Sequence, residues 1–182
     1  MTTALLLIDI QNDYFPGGRM ELDGSWNASL KARELLALFR ERQLPVVHVQ
    51  HISNRPGATF FLPDTPGVEI HPHVAPLSGE PVVRKHFPNS FRETELLVRL
   101  KDQGVRRLVV GGMMTHMCVD ATVRAAFDLG FDCLVAHDAC ATRTLTFNGT
   151  EIPARQVHGS FLAALGAVYA RICGSGDVAA QI

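Results

Sequence analysis

Residues 106–130, RRLVVGGMMTHMCVDATVRAAFDLG, hold the transition on which the fold turns. Arg107–Val110, with Arg106 before it, reads as a short β-branched strand, and Gly111 and Gly112 follow it. From about Cys118 onward, Val119, Thr122, Val123, Ala126 and Leu129 line one side of a helix. Asp120, Arg124 and Asp128 fall on the other side at i, i+4 spacing, and Gly130 stands where a helix-ending glycine is expected. Strand, glycine turn and amphipathic helix make one βα unit. A cysteine at its helix start is placed as a nucleophile would be.

The same alternation runs outward in both directions. Thr3–Ile10 reads as a buried first strand, Pro45–Gln50 as a second and Val82–Val83 as part of a short third. Cys133–Ala136 follows Arg107–Val110 as a fifth, and Ala167–Cys173 contains a sixth. These runs are apolar without alternation, which suits a sheet covered on both faces. One helix follows Ser25, a candidate N-cap, with Ala28, Ala32, Leu35, Leu36 and Phe39 as its stripe. Another carries Leu96, Leu97 and Leu100, capped by Thr94 or by a Ser90/Glu93 capping box, and ends near Gly104. Pro153–Leu165 is a further helix. Repeated βα units predict one α/β domain over residues 1–182: a doubly wound, Rossmann-like sheet of about six parallel strands with helices on both faces. Residues 51–80 break the pattern, being rich in Pro, Gly and His without a period. A loop of that length in a compact domain is usually functional, and it begins where ligands bind in open α/β sheets, beyond a strand's carboxyl end.

Composition narrows the function. The 182 residues carry a formal net charge of −1, and the 17 Lys and Arg form no block. Neither nucleic acid nor an anionic membrane is an expected partner. The opening MTTALLLIDI has no basic region, Asp9 interrupts its apolar run, and no run approaches a membrane span. A cytoplasmic location with reduced thiols is therefore expected. Cys118, Cys133, Cys140 and Cys173 form no C-x-x-C pair, and no H-E-x-x-H occurs. His48, His51, His71 and His73 lack the spacing that would argue for metal. GGMM is not the G-x-G-x-x-G of dinucleotide sites.

Three ionisable residues stand at strand ends or a helix start: Asp9, Lys85 and Cys118. In a doubly wound sheet these ends share one edge, so the side chains are expected to converge. A helix N-terminus and a nearby ammonium both favour a thiolate and lower its pKa. Asp9 is suited to take the thiol proton and return it to a leaving amine. The glycines let backbone approach a ligand, so N–H groups around Met114 and Cys118 would face a developing oxyanion. Bland alternatives exist for each: a packed cysteine, a turn aspartate, a snorkelling lysine. His116 reads as peripheral, and Met113, Met114 and Met117 as packing.

Taken in order, these pieces resemble the isochorismatase-like cysteine hydrolase superfamily. The resemblance rests on Asp9 followed by Gln11-Asn12-Asp13-Tyr14, then Lys85, Ser90-Phe91, Thr94 and Leu97. It continues with G-x-x-x-T-x-x-C-V as Gly111, Thr115, Cys118 and Val119, then Thr122, Ala125 and Asp138-Ala139. It implies an Asp9/Lys85/Cys118 triad and a covalent intermediate on Cys118. It also implies a cis Met113–Met114 peptide, with Met114 and Cys118 N–H groups as the oxyanion hole. Members with the cysteine resemble amidases of small C–N bonds; those without it cleave a vinyl ether. The metal-binding members carry D-x-H after the second strand, where this chain has Gln50-His51-Ile52-Ser53. A metal-free, cofactor-free branch is implied, acting on a small-molecule substrate as a homo-oligomer, dimer or tetramer. Tyr14, His51, Phe60, Phe61 and Phe87 are assigned to the pocket wall, favouring a flat or apolar substrate. Vinyl-ether hydrolysis and an inactive Rossmann-like binding protein are the alternatives.

Overall fold

The run that reads as the first strand forms β1, Thr2–Ile8, and Ala4 through Ile8 are all buried. The computed structural model describes residues 2–182. In it β1 is a central strand of a six-stranded sheet with order β3-β2-β1-β4-β5-β8. The other strands are β2 (Val46–His51) and β4 (Val105–Met113), which flank β1, and β3 (Val82–Lys85), β5 (Asp132–Ala141) and β8 (Arg171–Cys173) farther out. Every pairing in this sheet is parallel. Leu5 and Leu7 pack on one face with α1 (Ser25–Glu41), while Ala4, Leu6 and Ile8 face α2 (Leu96–Asp102), α3 (Asp120–Asp128) and α4 (Ala154–Val168). Each fully buried Leu contributes about 1.5–3 kcal/mol. Burial on both faces is why the strand is continuously apolar.

The chain leaves β1 through α1 to β2 and β3, then crosses to β4 on the other side of β1. The strand order therefore reverses between β1 and β4, and a crevice opens there at the carboxyl edge. Thirty residues of irregular chain between β2 and β3, containing two 3₁₀ turns, Pro66–Val68 and Pro72–Val74, close over that edge.

Several local expectations need correction. Gly24, not Ser25, is the N-cap of α1, and no side chain caps it. Glu95 is the N-cap of α2; the Ser90/Glu93 box is absent, because Ser90 instead bonds Thr122, Oγ to Oγ1, at 2.8 Å. Thr94 does reach the helix, its Oγ1 accepting from Leu96 N at 3.3 Å. The helix after β4 begins at Asp120 rather than Cys118, because a π-turn, Thr115–Val119, comes first. The sixth strand of the sheet is only Arg171–Cys173, since α4 runs on to Val168. A hairpin of β6 (Leu145–Phe147) and β7 (Thr150–Ile152) was not expected. It turns on Asn148 and Gly149, both at positive φ (48° and 75°), the conformation that Asn-Gly hairpins favour.

Candidate active site

Four chain segments meet at the crevice. Asp9 follows β1 directly, and its φ of 53° turns the chain out of the sheet. Its amide still donates to Val49 O at 3.0 Å. His51 and Lys85 end β2 and β3 and are register partners. Cys118 lies in the π-turn after β4. The peptide between Met113 and Met114, at the start of that turn, is cis.

Lys85 joins these groups. Its Nζ donates to Asp9 Oδ2 at 2.7 Å, to His51 Nδ1 at 2.9 Å and to Cys118 Sγ at 3.3 Å. An ammonium has three N–H groups, and all three are used. The side chains of Asp9 and Lys85 are inaccessible to solvent, and Cys118 is 5% exposed. Cys118, Met114 and Met117 line a cavity of about 130 Å³ with Tyr14, Phe60 and Phe61. His51 and Phe87 line it too. The aromatic wall is one packed unit: Tyr14 and Phe61 lie 4.5 Å apart by ring centroid, and Phe60 and Phe61 5.0 Å.

Burial sets the protonation states. It pushes the Cys118 thiol well above its ordinary range, and the Asp9 carboxylate adds to that push; Lys85 pulls the other way without prevailing. The sequence-based expectation of a lowered thiol pKa is therefore not met. Two physical reasons account for it: desolvation outweighs one ammonium, and the regular helix starts beyond the cysteine. Burial also works against the Lys85 charge, but Asp9 and then Cys118 outweigh it, so the pKa of Lys85 rises. Burial, then Lys85, lowers His51 to about 4. A neutral imidazole accepting from Lys85 at Nδ1 carries its proton on Nε2. Burial, helped by Cys118 and Asp9, raises Tyr14 well above its ordinary value, so its hydroxyl stays protonated. The site thus pairs a protonated thiol with the Lys85 ammonium, which also bonds Asp9.

Comparison with known proteins places this arrangement. Residues 3–156 match the Isochorismatase domain model. The chain belongs to the isochorismatase family. It is 54% identical over 172 residues to the uncharacterized isochorismatase family protein YddQ of Bacillus subtilis, covering 94% of this chain and 96% of that one. A crystal structure of a putative isochorismatase hydrolase from Oleispira antarctica superposes with a TM-score of 0.94. Its sequence identity is 52%, over 98% of this chain and 96% of that one. Maleamate amidohydrolase of Pseudomonas putida is 29% identical over 154 residues, 77% of this chain and 72% of that one. Family members are hydrolases, amidohydrolases among them.

In this isochorismatase-family chain the Gln11-Asn12-Asp13 stretch holds the long loop in place, a role the sequence did not disclose. Gln11 Nε2 donates to His51 O (2.9 Å) and Val68 O (2.7 Å), while its Oε1 accepts from His51 N (2.8 Å). Asn12 Nδ2 donates to Pro66 O at 2.9 Å. Buried Asp13 accepts from Phe61 N at 2.6 Å and from Arg19 N at 3.2 Å, which pins Phe61 in the wall. Of the four histidines weighed for metal, only His51 reaches the cluster. Asp9, His51 and Cys118 bring one ligand atom each within 4.8 Å of the others. Lys85 already bonds all three of these residues, so its ammonium supplies the positive charge such a set attracts. His48 is bonded to Glu80 at 3.0 Å, and His73 Nδ1 to Ser29 Oγ at 2.8 Å. His71 stacks on Phe15 with ring centroids 3.6 Å apart. His116 turns away from the cluster, its Nδ1 bonded to Thr142 Oγ1.

Proposed function

We propose that this protein is a cysteine hydrolase of a C–N bond in a small amide or carbamoyl compound, with Cys118 as nucleophile, Asp9 as general base and acid, and Lys85 as the group that stabilises the sulfur anion. The supporting observation is Lys85 Nζ, bonded at once to Asp9 and to Cys118, the residue of the three that lines the cavity. Asp9 takes the thiol proton as Sγ attacks the substrate carbonyl carbon. A C–S bond forms, and the carbonyl π pair moves to oxygen, toward the N–H groups of Met114 and Cys118. The oxyanion then collapses, the C–N bond breaks, and Asp9 returns the proton to the leaving nitrogen. Water, deprotonated by Asp9, attacks the thioester; the C–S bond breaks and Cys118 regains its proton.

The raised thiol pKa fits this order, in which the proton leaves only as the C–S bond forms. Tyr14, His51, Phe60, Phe61 and Phe87 shape the substrate site, and no metal or cofactor takes part in the proposed steps. No helix among the described residues is long and apolar enough to cross a membrane. A cytoplasmic homo-oligomer, dimer or tetramer, remains the proposed setting; exposed Phe147 and Val168 are surfaces that subunit contact would cover.

The test is ammonia or amine release from a panel of small amides, with mass analysis of quenched enzyme for an adduct on Cys118. Cys118→Ala is expected to lose about 10⁴-fold or more in kcat. Asp9→Asn is expected to abolish both adduct and turnover. Full turnover of an amide by Cys118→Ala would overturn covalent catalysis.

A further inference from the structure

Granting a hydrolase that acts through Cys118, on which the argument rests, we infer that its substrate is a small, flat amide bearing an anionic group, such as a carboxylate, and that Arg55 at the cavity mouth selects it. The wall around Cys118 contains Arg55 and His86 but no Asp or Glu. Asp9 lies behind that wall and is committed to Lys85. Arg55 is exposed and belongs to none of the ion pairs among the described residues. Its charge nevertheless reaches inward, being one of those that bear on His51.

Three other polar side chains of the wall, His51, Tyr14 and Ser53, can donate to a ligand. His51 is neutral, with Nδ1 spent on Lys85, so it offers Nε2–H to the cavity. Tyr14 keeps its phenolic proton. Ser53 adds a hydroxyl. His86 spends Nδ1 on Ile52 O at 2.8 Å. A substrate presenting several acceptor oxygens satisfies these donors, whereas a cationic one would face Arg55 unpaired. Phe60, Phe61 and Phe87 supply the flat apolar walls between the mouth and the sulfur. The volume, about 130 Å³, restricts the amide to a few heavy atoms beyond the reacting group. An exposed arginine is usually solvated and idle; here it shares a small acid-free cavity with the proposed nucleophile.

Two nearly isosteric alkylating reagents test the charge preference without a known substrate: iodoacetate, an anion, and iodoacetamide, a neutral amide. The readout is the iodoacetate-to-iodoacetamide rate ratio at Cys118, followed by peptide mapping and divided by the same ratio for glutathione. Wild type is expected above one. Arg55→Ala lowers the ratio by about fivefold, Arg55→Glu lowers it further, and Arg55→Lys keeps most of it. Because Lys85 is present in every variant, the series isolates Arg55. A wild-type value at or below one overturns the inference, as does a ratio that Arg55→Ala leaves unchanged; in either case a Cys118 that still alkylates leaves the hydrolase standing. If Cys118 reacts with neither reagent, the hydrolase proposal falls and the substrate class falls with it.

Discussion

Lys85 is the residue on which the site depends, because it is the one cation among the described residues bonded to the buried Asp9 side chain. Removing it should cost more than its own contacts. Lys85→Met leaves Asp9 charged, desolvated and unpaired, a situation that costs about 3–5 kcal/mol. Among the described residues Asp9 Oδ1 has no hydrogen-bond partner. Adding Asp9→Asn to Lys85→Met removes the orphaned charge and should restore most of that stability, since apolar replacements of buried pairs are often neutral. Catalysis should stay absent in the double variant. Urea unfolding of the two singles and the double gives the coupling energy. A Lys85→Met protein as stable as wild type would mean that the pair contributes nothing net, and that Asp9 takes up a proton when Lys85 is gone.

At the scale of elements, β4 and the turn after it decide where Cys118 sits. Gly112 pairs with Ile8 and has a φ of 147°. A Cβ there would strike the Ile8 backbone, lying 2.7 Å from Ile8 N and closer still to Ile8 O. Gly112→Ala should therefore push β1 and β4 apart, just where Asp9 and Met114 leave them. The expected cost is about 3 kcal/mol or more, with loss of Cys118 reactivity even where the protein still folds. Thermal melting and alkylation mapping would show both; a variant with native melting and native alkylation would mean that the strands yield at no cost.

The same elements show what the sequence could convey. The apolar runs of β1, β2, β4 and β5 were legible because strands covered on both faces have no polar side to hide. Asp9, Lys85 and Cys118 were legible because each interrupts or ends such a run. The π-turn was not, since its residues Thr115–Val119 have no spacing distinct from a first helical turn. The loop clamp was not, because Gln11 and Asp13 act on backbone more than 40 residues away, which no local pattern records. The β6–β7 hairpin had a signal in Asn148-Gly149, but its strands of three residues each are too short to show an alternation.

For the whole molecule, the gathering of neutral ionisable groups inside one sheet predicts how stability changes with pH. On the alkaline side, burial raises Cys133 and Cys140 to about 12, and Cys118 beyond that range. Their unfolded value is about 8.5. Above it the unfolded chain gives up these protons while the folded protein keeps them, so each thiol lowers stability by about 1.4 kcal/mol per pH unit until its folded pKa is reached. Lys85 acts with the same sign at higher pH: its raised folded pKa supplies stability that is complete below its unfolded value and lost as pH rises through the folded one. On the acid side, His51 and His71 are lowered to about 4. The unfolded chain binds their protons first, near pH 6.5, so stability is present above that value and declines as pH falls. Glu80, lowered to about 2 by its bond to Arg40, adds a second loss in the same direction below about pH 4.5. The melting temperature should therefore form a plateau between about pH 6.5 and 8.5 and fall on both sides. Cys133→Ala should shallow the alkaline limb by the share of one thiol. An alkaline limb that stays flat to pH 10 would mean that the thiols ionise inside the folded sheet, contradicting the burial that sets the resting state of Cys118.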